Sequence, residues 1–328
     1  MSDHSRTRHC CVIGCSGFIG RHLVPLLLSS GRKVTVVGRQ AAPARPLPAE
    51  VRYVAHDYGD KSFLADLLKD VDEVVNLAYS TVPKTSFEDP VQDILSNLPA
   101  AVNLFLATSQ SSVQRLILVS SGGTVYGKAE YLPIVETHPT NPISPYGITK
   151  LAIEKYAIMY HTHTGLPVVV LRPGNAFGEE QRPFTGQGFV ATAISSILSG
   201  KEITIYGKDG MIRDYIYVGD VAKGIMAALE RGRPGECYNI GSGIGRNNRE
   251  VLDAILPYAL ASGFKPSITV LRPREFDVPA NVLSPIRLTQ DTGWQMTTSF
   301  DEVIERMWEH SMRMASPQTG DLLRSSAP

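Results

Sequence analysis

Apolar runs recur through the first half of the chain, and segments with helical periodicity separate them. HCCVIG, KVTVVG, EVVNLA, RLILVS and PVVVLR are rich in Val, Ile and Leu, and VRYVAH is a shorter run of the same kind. The segments 18–30, 61–69, 87–109 and 145–164 read as the helices between them. Strand and helix in regular order predict an α/β fold, with a doubly wound parallel sheet covered on both faces. Such sheets bind ligands at the carboxyl ends of their strands. After about residue 175 glycine and proline break the pattern, and short segments such as EITIYG, DYIYVGD and CYNIGSG follow. Pro25 falls inside the first predicted helix, where proline costs about 3 kcal/mol, so a kink or a later start is expected there.

The chain has 328 residues, no net charge and 43% hydrophobic residues. That length suits one large domain or two closely joined ones, with a sizeable core. The balanced charge argues against a nucleic-acid partner, which would want a basic field. No apolar run approaches the roughly 18 residues of a membrane span. The N-terminal MSDHSRTRH lacks the apolar stretch of a secretory signal. Cys10, Cys11 and Cys15 crowd one strand and its loop, and Cys237 stands apart. Pairing is geometrically awkward there, so reduced thiols fit best, and no second Cys/His pair stands at zinc-ligand spacing. A cytoplasmic protein without a membrane partner is the expectation.

The first strand runs into GCSGFIGR, with Gly14, Gly17 and Gly20 spaced G-x-x-G-x-x-G. Glycine permits the sharp turn and lets backbone N–H groups approach a pyrophosphate at a helix N-terminus. Its place directly after a strand and before a helix favours a dinucleotide loop over a glycine-rich turn without a ligand. The second strand ends Val37-Gly38-Arg39-Gln40, without the acid that usually holds the adenosine ribose. Arg39 suits a 2′-phosphate or a stacked adenine, so NAD and NADP both stay open. Asp57 reads equally as a partner for the adenine and as a loop-capping carboxylate.

Tyr146 and Lys150 stand at i and i+4, on one face of a helix that Pro145 suits at its first turn. A free phenol titrates near 10, and a neighbouring ammonium favours the phenolate. A cationic nicotinamide ring would act in the same direction. Such a pair can take a proton from a sugar hydroxyl while a hydride leaves the carbon. By spacing alone it is more often a solvated helix face.

Taken together, GCSGFIG (14–20), SSGGTVYG (120–127), SPYGITK (144–150), LRPGNAFG (171–178), RDYIYVGDVA (213–222) and PREFDVP (273–279) resemble the extended short-chain dehydrogenase/reductase family. The order of the motifs over roughly 9–315 is similar to that of its nucleotide-sugar epimerases, above all the UDP-glucose 4-epimerase-like members. The resemblance implies a Rossmann-like dinucleotide-binding domain over 9–175, with 214–243 partly returning to it, and a smaller α/β substrate-binding lobe over 176–315. Residues 1–8 and 316–328 would be flexible ends. It implies a tightly held NAD, Tyr146 as the base, and Lys150 on the nicotinamide ribose. Phe18, Ile19, Tyr58, Leu77, Ala78, Tyr79 and Asn97 would join the glycines, Arg39 and Asp57 around the cofactor. A UDP-sugar would meet Thr81, Asn175, Gly188, Phe189, Tyr206, Arg213, Arg274 and Asp277, the two arginines clamping the diphosphate. A homodimer through a helix bundle, using 87–109 and 145–164, is also implied.

The chain departs from the family at one telling place. The serine common among the 4-epimerases falls on Gly122, and the nearest hydroxyls are Ser121 and Thr124. Thr124 is the first choice, because glycines at 122 and 123 would open room above it. Dehydratases carry an Asp-Glu pair in this loop, and decarboxylating relatives a glutamate. Here those positions read glycine and threonine, which disfavours elimination. The expectation is a UDP-hexose 4-epimerase. The alternatives are an NADPH-dependent nucleotide-sugar or ketone reductase, and a dinucleotide-sensing module without turnover.

Overall fold

The computed structural model describes residues 7–186, 188–272 and 278–315. Its strands are β1 (His9–Ile13), β2 (Lys33–Gly38), β3 (Arg52–Ala55), β4 (Glu73–Asn76), β5 (Arg115–Val119), β6 (Val168–Pro173), β7 (Asn175–Phe177), β8 (Ile203–Tyr206), β9 (Ile212–Tyr217), β10 (Cys237–Ile240), β11 (Gly245–Arg246), β12 (Ile268–Leu271) and β13 (Ala280–Asn281). Its helices are α1 (Phe18–Ser29), α2 (Lys61–Leu67), α3 (Pro83–Glu88), α4 (Pro90–Ser109), α5 (Pro145–Thr164), α6 (Phe189–Leu198), α7 (Val218–Arg231), α8 (Asn248–Ala261), α9 (Ile286–Thr292) and α10 (Phe300–Ala315).

A 7-stranded parallel sheet in the order β10-β6-β5-β4-β1-β2-β3 forms the centre. Its inner strands are buried on both faces, which is why they read as continuous apolar runs. One core forms against α1 and α7, and another against α4 and α5. The strand order reverses at β1 and β4, and the glycine loop after β1 lies at that switch point. A smaller lobe holds β7, β9, β11 and β13 in one sheet and β8 with β12 in another, packed on α6, α8 and α10.

Local chemistry sets the helix ends. Asp60, Asp89, Ser144 and Asn247 accept from backbone N–H groups in the first turns of α2, α4, α5 and α8. Gly165, at φ 72°, ends α5. The helix expected over 87–109 is two helices. Asp89 breaks the run and caps α4 through Gln92 N–H, and Pro90 takes the first helical position. The later start expected for α1 does not occur. The helix runs from Phe18 to Ser29 with Pro25 on its exposed side.

Candidate active site

A cleft of about 1390 Å³ opens at the carboxyl ends of β1, β4 and β5, between the sheet and the smaller lobe. It exceeds the roughly 300–1,000 Å³ of a single small-molecule site, so two ligands fit side by side. The glycine loop forms one end. Gly14, at φ 81°, lies against Ala78, and a Cβ there would come 2.6 Å from the Ala78 Cα. A Cβ at Gly20 would collide with the Cys15 carbonyl. Gly17 is different: its nearest neighbour would be the Gly14 carbonyl at 3.5 Å, and its bare face lines the cleft.

No side chain caps α1, and its first turn holds no acid. No side chain therefore competes with a pyrophosphate for the N–H groups at the start of α1. Arg21, one residue past Gly20, donates from Nη1 to Glu180 Oε2 at 2.7 Å, and Arg45 reaches the same oxygen at 2.7 Å. Glu180 thereby ties the smaller lobe to α1 and to the loop after β2.

Tyr146, Lys150 and Ser121 converge midway along the cleft. Ser144 caps α5, and the Tyr146 N–H donates to the buried Ser86 hydroxyl at 3.1 Å, which fixes the start of the helix. Lys150 Nζ donates to the Val119 carbonyl at 3.0 Å, at the end of β5. The same ammonium sits 4.1 Å from the centroid of the Tyr79 ring and 5.8 Å from that of Tyr146. Burial lowers Lys150 to about 8, against the pull of Glu154 and Asp93.

One expectation is corrected here. Burial, with the Asp93 charge, pushes the Tyr146 phenol well above its ordinary value. The ammonium expected to lower it does not reverse that rise: Lys150 Nζ is held by the Val119 carbonyl, 5.8 Å from the Tyr146 ring centroid. Of the two loop hydroxyls, Ser121 is the one that acts on the Tyr146 phenol, and it opposes the rise. Thr124 lines the cleft, and its buried hydroxyl has no hydrogen-bond partner among the described residues. Of the two glycines expected to open room above it, Gly123 leaves space, since a Cβ there would meet nothing nearer than 3.4 Å, and Gly122 does not. A Cβ at Gly122 would strike Leu283 and come 2.9 Å from the Arg172 carbonyl, so the loop accepts only glycine there.

The other expected residues divide by position. Phe18, Ile19, Leu77, Tyr79, Thr81, Asn175, Gly188, Phe189 and Arg213 line the cleft. Tyr58 and Ala78 border a small void behind it, and burial raises the Tyr58 phenol to about 12. Arg39, Asp57 and Tyr206 are not among the lining residues. Asp57 accepts from the Gly59 N–H at 2.9 Å through Oδ1, as a loop-capping carboxylate does. Asn97 is spent on structure: its carbonyl accepts from the Ser80 N–H at 2.8 Å, and its amide donates to the Asp93 carbonyl. Arg213 donates from Nη1 to the carbonyls of Ile212 and Val278, both at 2.8 Å. Asp214 is buried and accepts from the N–H groups of Ser242, Gly243 and Leu283. Arg274 and Asp277 lie outside the described residues. Asp93 and Ser86 were not foreseen. Asp93 stands at i−4 from Asn97, on the face of α4 that meets the loop after β4, and that spacing was the available signal.

The comparisons agree with this geometry. The model of the "NAD dependent epimerase/dehydratase family" matches residues 10–241. A UDP-glucose 4-epimerase of Mycolicibacterium smegmatis is 31% identical over 305 residues, covering 91% of this chain and 96% of that protein. The Thermus thermophilus UDP-glucose 4-epimerase, solved as a complex with NAD, superposes with a TM-score of 0.84 at 36% identity, over 92% of this chain and 98% of that one. The Thermotoga maritima UDP-glucose 4-epimerase, solved with UDP-glucose, gives 0.87 at 28% identity, over 94% and 100%. Glycine loop, Tyr146–Lys150 pair and match of sequence thus lead to one conclusion: the chain belongs to the NAD dependent epimerase/dehydratase family.

Proposed function

We propose that the protein interconverts the C4 epimers of a UDP-hexose, with NAD held in the glycine-loop end of the cleft. The observation that carries this reading is the convergence of Tyr146, Ser121 and Lys150 on a cleft large enough for a dinucleotide and a sugar nucleotide together. Gly14, Gly17 and Gly20 would hold the pyrophosphate, Leu77 and Tyr79 would flank the ring end, and Lys150 would reach the ribose. NAD, when bound there, supplies a cationic ring and a reversible hydride acceptor.

Tyr146 takes the proton from the sugar O4, and Ser121 holds that oxygen in line with the phenol. Burial keeps the phenol protonated in the chain alone, so proton abstraction waits on the bound cofactor. The Lys150 ammonium supports the phenolate once formed. The 4-keto sugar turns over between the lobes, and Tyr146 returns its proton to O4 on the other face. Arg213 and Asn175 would fix the diphosphate while the sugar rotates. Gly123 and Thr124 supply no carboxyl acid or base for elimination, which supports epimerisation over dehydration.

Incubation of the purified protein with UDP-glucose, without added cofactor, should yield UDP-galactose by NMR. Net NADPH oxidation against a keto-sugar, with no epimer formed even after NAD is added, would overturn the reading. The exposed apolar residues Val91, Ile94 and Leu95 on α4 and Ile148, Tyr156 and Met159 on α5 support a homodimer through these helices. The free cysteines support a cytoplasmic setting.

A further inference from the structure

Asp93 lies in the first turn of α4 and is fully buried. A buried carboxylate is costly unless it is paired or hydrogen-bonded. Among the described residues, two hydroxyls from the loop after β4 meet its side chain. Tyr79 Oη lies 3.3 Å from each carboxylate oxygen, and Thr81 Oγ1 donates to Oδ1. Both donors line the cleft. A hydroxyl has one proton to give; the Tyr79 oxygen also meets the Thr149 hydroxyl, whereas the Thr81 oxygen, its proton spent on Asp93, has only lone pairs left to offer. The Tyr79 ring does two further things. It carries the Lys150 ammonium 4.1 Å from its centroid, and it meets the Tyr146 ring edge-on at 4.8 Å.

We propose that Asp93 is a positioning residue for the Tyr146–Lys150 pair and sets the polarity of the cleft beside it. Its carboxylate takes the protons of Tyr79 and Thr81, and it thereby seats the Tyr79 ring against Lys150 and Tyr146. The cleft then offers acceptors at this point. It suits a sugar substituent that donates, a hydroxyl or an amide N–H, and opposes a carboxylate. This deepens the epimerase reading above and rests on it. The groups facing Asp93 are Tyr79 and Thr81 from the loop, Tyr146 and Lys150 from α5, and Asn97 on its own helix. Its negative charge opposes a phenolate at Tyr146 and supports the ammonium at Lys150.

The test is Asp93→Asn, which keeps the shape and removes the charge. Tyr146 is titrated by the ultraviolet absorbance of tyrosinate, as the difference between chains with and without Tyr146→Phe. In the Asp93→Asn background this titration should move down by roughly one pH unit. The ratio of kcat/KM for UDP-glucose over UDP-glucuronate should fall by about tenfold or more. A folded variant that titrates Tyr146 like the parent and keeps the ratio overturns the proposal. If Asp93→Asn does not fold, Thr81→Val decides: the ratio should fall, and an unchanged ratio overturns it. The titration needs no turnover. A parent that acts on no UDP-hexose therefore sinks the epimerase reading separately, while the titration still decides the role of Asp93.

Discussion

Arg172 reaches from β6 to Glu154 on α5, with Nη2 2.5 Å from Oε2 and Nε 3.1 Å from Oε1, and both side chains are buried. Glu154 stands one turn beyond Lys150, so this pair anchors the helix that carries the Tyr146–Lys150 site. Arg172 also donates to the Tyr126 hydroxyl at 2.9 Å, and Tyr126 donates to Asn239 on β10. Removing one member of a buried pair leaves the other unpaired, at a cost of about 3–5 kcal/mol. Glu154→Leu should lose that much in denaturant unfolding. A loss below about 1 kcal/mol, the size of an exposed ion pair, would contradict the anchoring role.

Tyr146→Phe should lower kcat by about 10²–10⁴-fold, with the affinity for the UDP-sugar little changed. Ser121→Ala should cost more than Thr124→Val, because Ser121 is the hydroxyl that meets the phenol. The reverse order in steady-state kinetics would restore Thr124 to the place its sequence position suggested.

The glycine loop allows a test that separates folding from binding. Gly17 has an extended backbone at φ −75° and ψ 176°, and a Cβ there would meet the protein only at 3.5 Å. Gly17→Ala should therefore fold with near-parent stability. Its methyl group would face the cleft where a pyrophosphate approaches the start of α1, so NAD affinity should fall at least tenfold. Calorimetric titration with NAD, alongside thermal unfolding, reads both quantities. Unchanged affinity would place the pyrophosphate elsewhere.

Lys150 carries a pH signature. Its value in the fold is about 8, below the ordinary 10.5, so burial of the ammonium destabilises the cofactor-free chain at pH values below 8. Between 8 and 10.5 the unfolded chain holds a proton that the folded chain has released. Stability therefore rises with pH across that window, by up to about 3 kcal/mol from this group. Lys150→Met should lack the rise. The difference in unfolding free energy between parent and variant, measured from pH 7 to 10, should move in the parent's favour. A flat difference would show that the ammonium is not desolvated.

The alternation of strands and helices, the glycine loop and the Tyr146–Lys150 spacing were legible because each depends on residues close together in the chain. The break at Asp89 was legible too, as an Asp-Pro turn signal, but the helical periodicity on either side masked it. What could not be read depends on distant packing. Leu283 fills the space over Gly122, so the serine missing there is a matter of volume that only the packed fold shows. Asp93 looks like any acid near a helix start until α4 is docked against the loop after β4, which buries it beneath Tyr79 and Thr81. The rise of the Tyr146 phenol has the same origin: spacing showed the cation, and only the fold showed the desolvation.

The most direct measurement is turnover of UDP-glucose in deuterated water, followed by proton NMR of the products. Epimerisation by hydride removal and return at one carbon should give UDP-galactose that keeps its original hydrogen at C4 and takes up no deuterium at any carbon. Deuterium at C4 or in the C5–C6 portion, or a product lacking the C6 hydroxyl, would contradict a Tyr146-driven, redox-neutral exchange at C4.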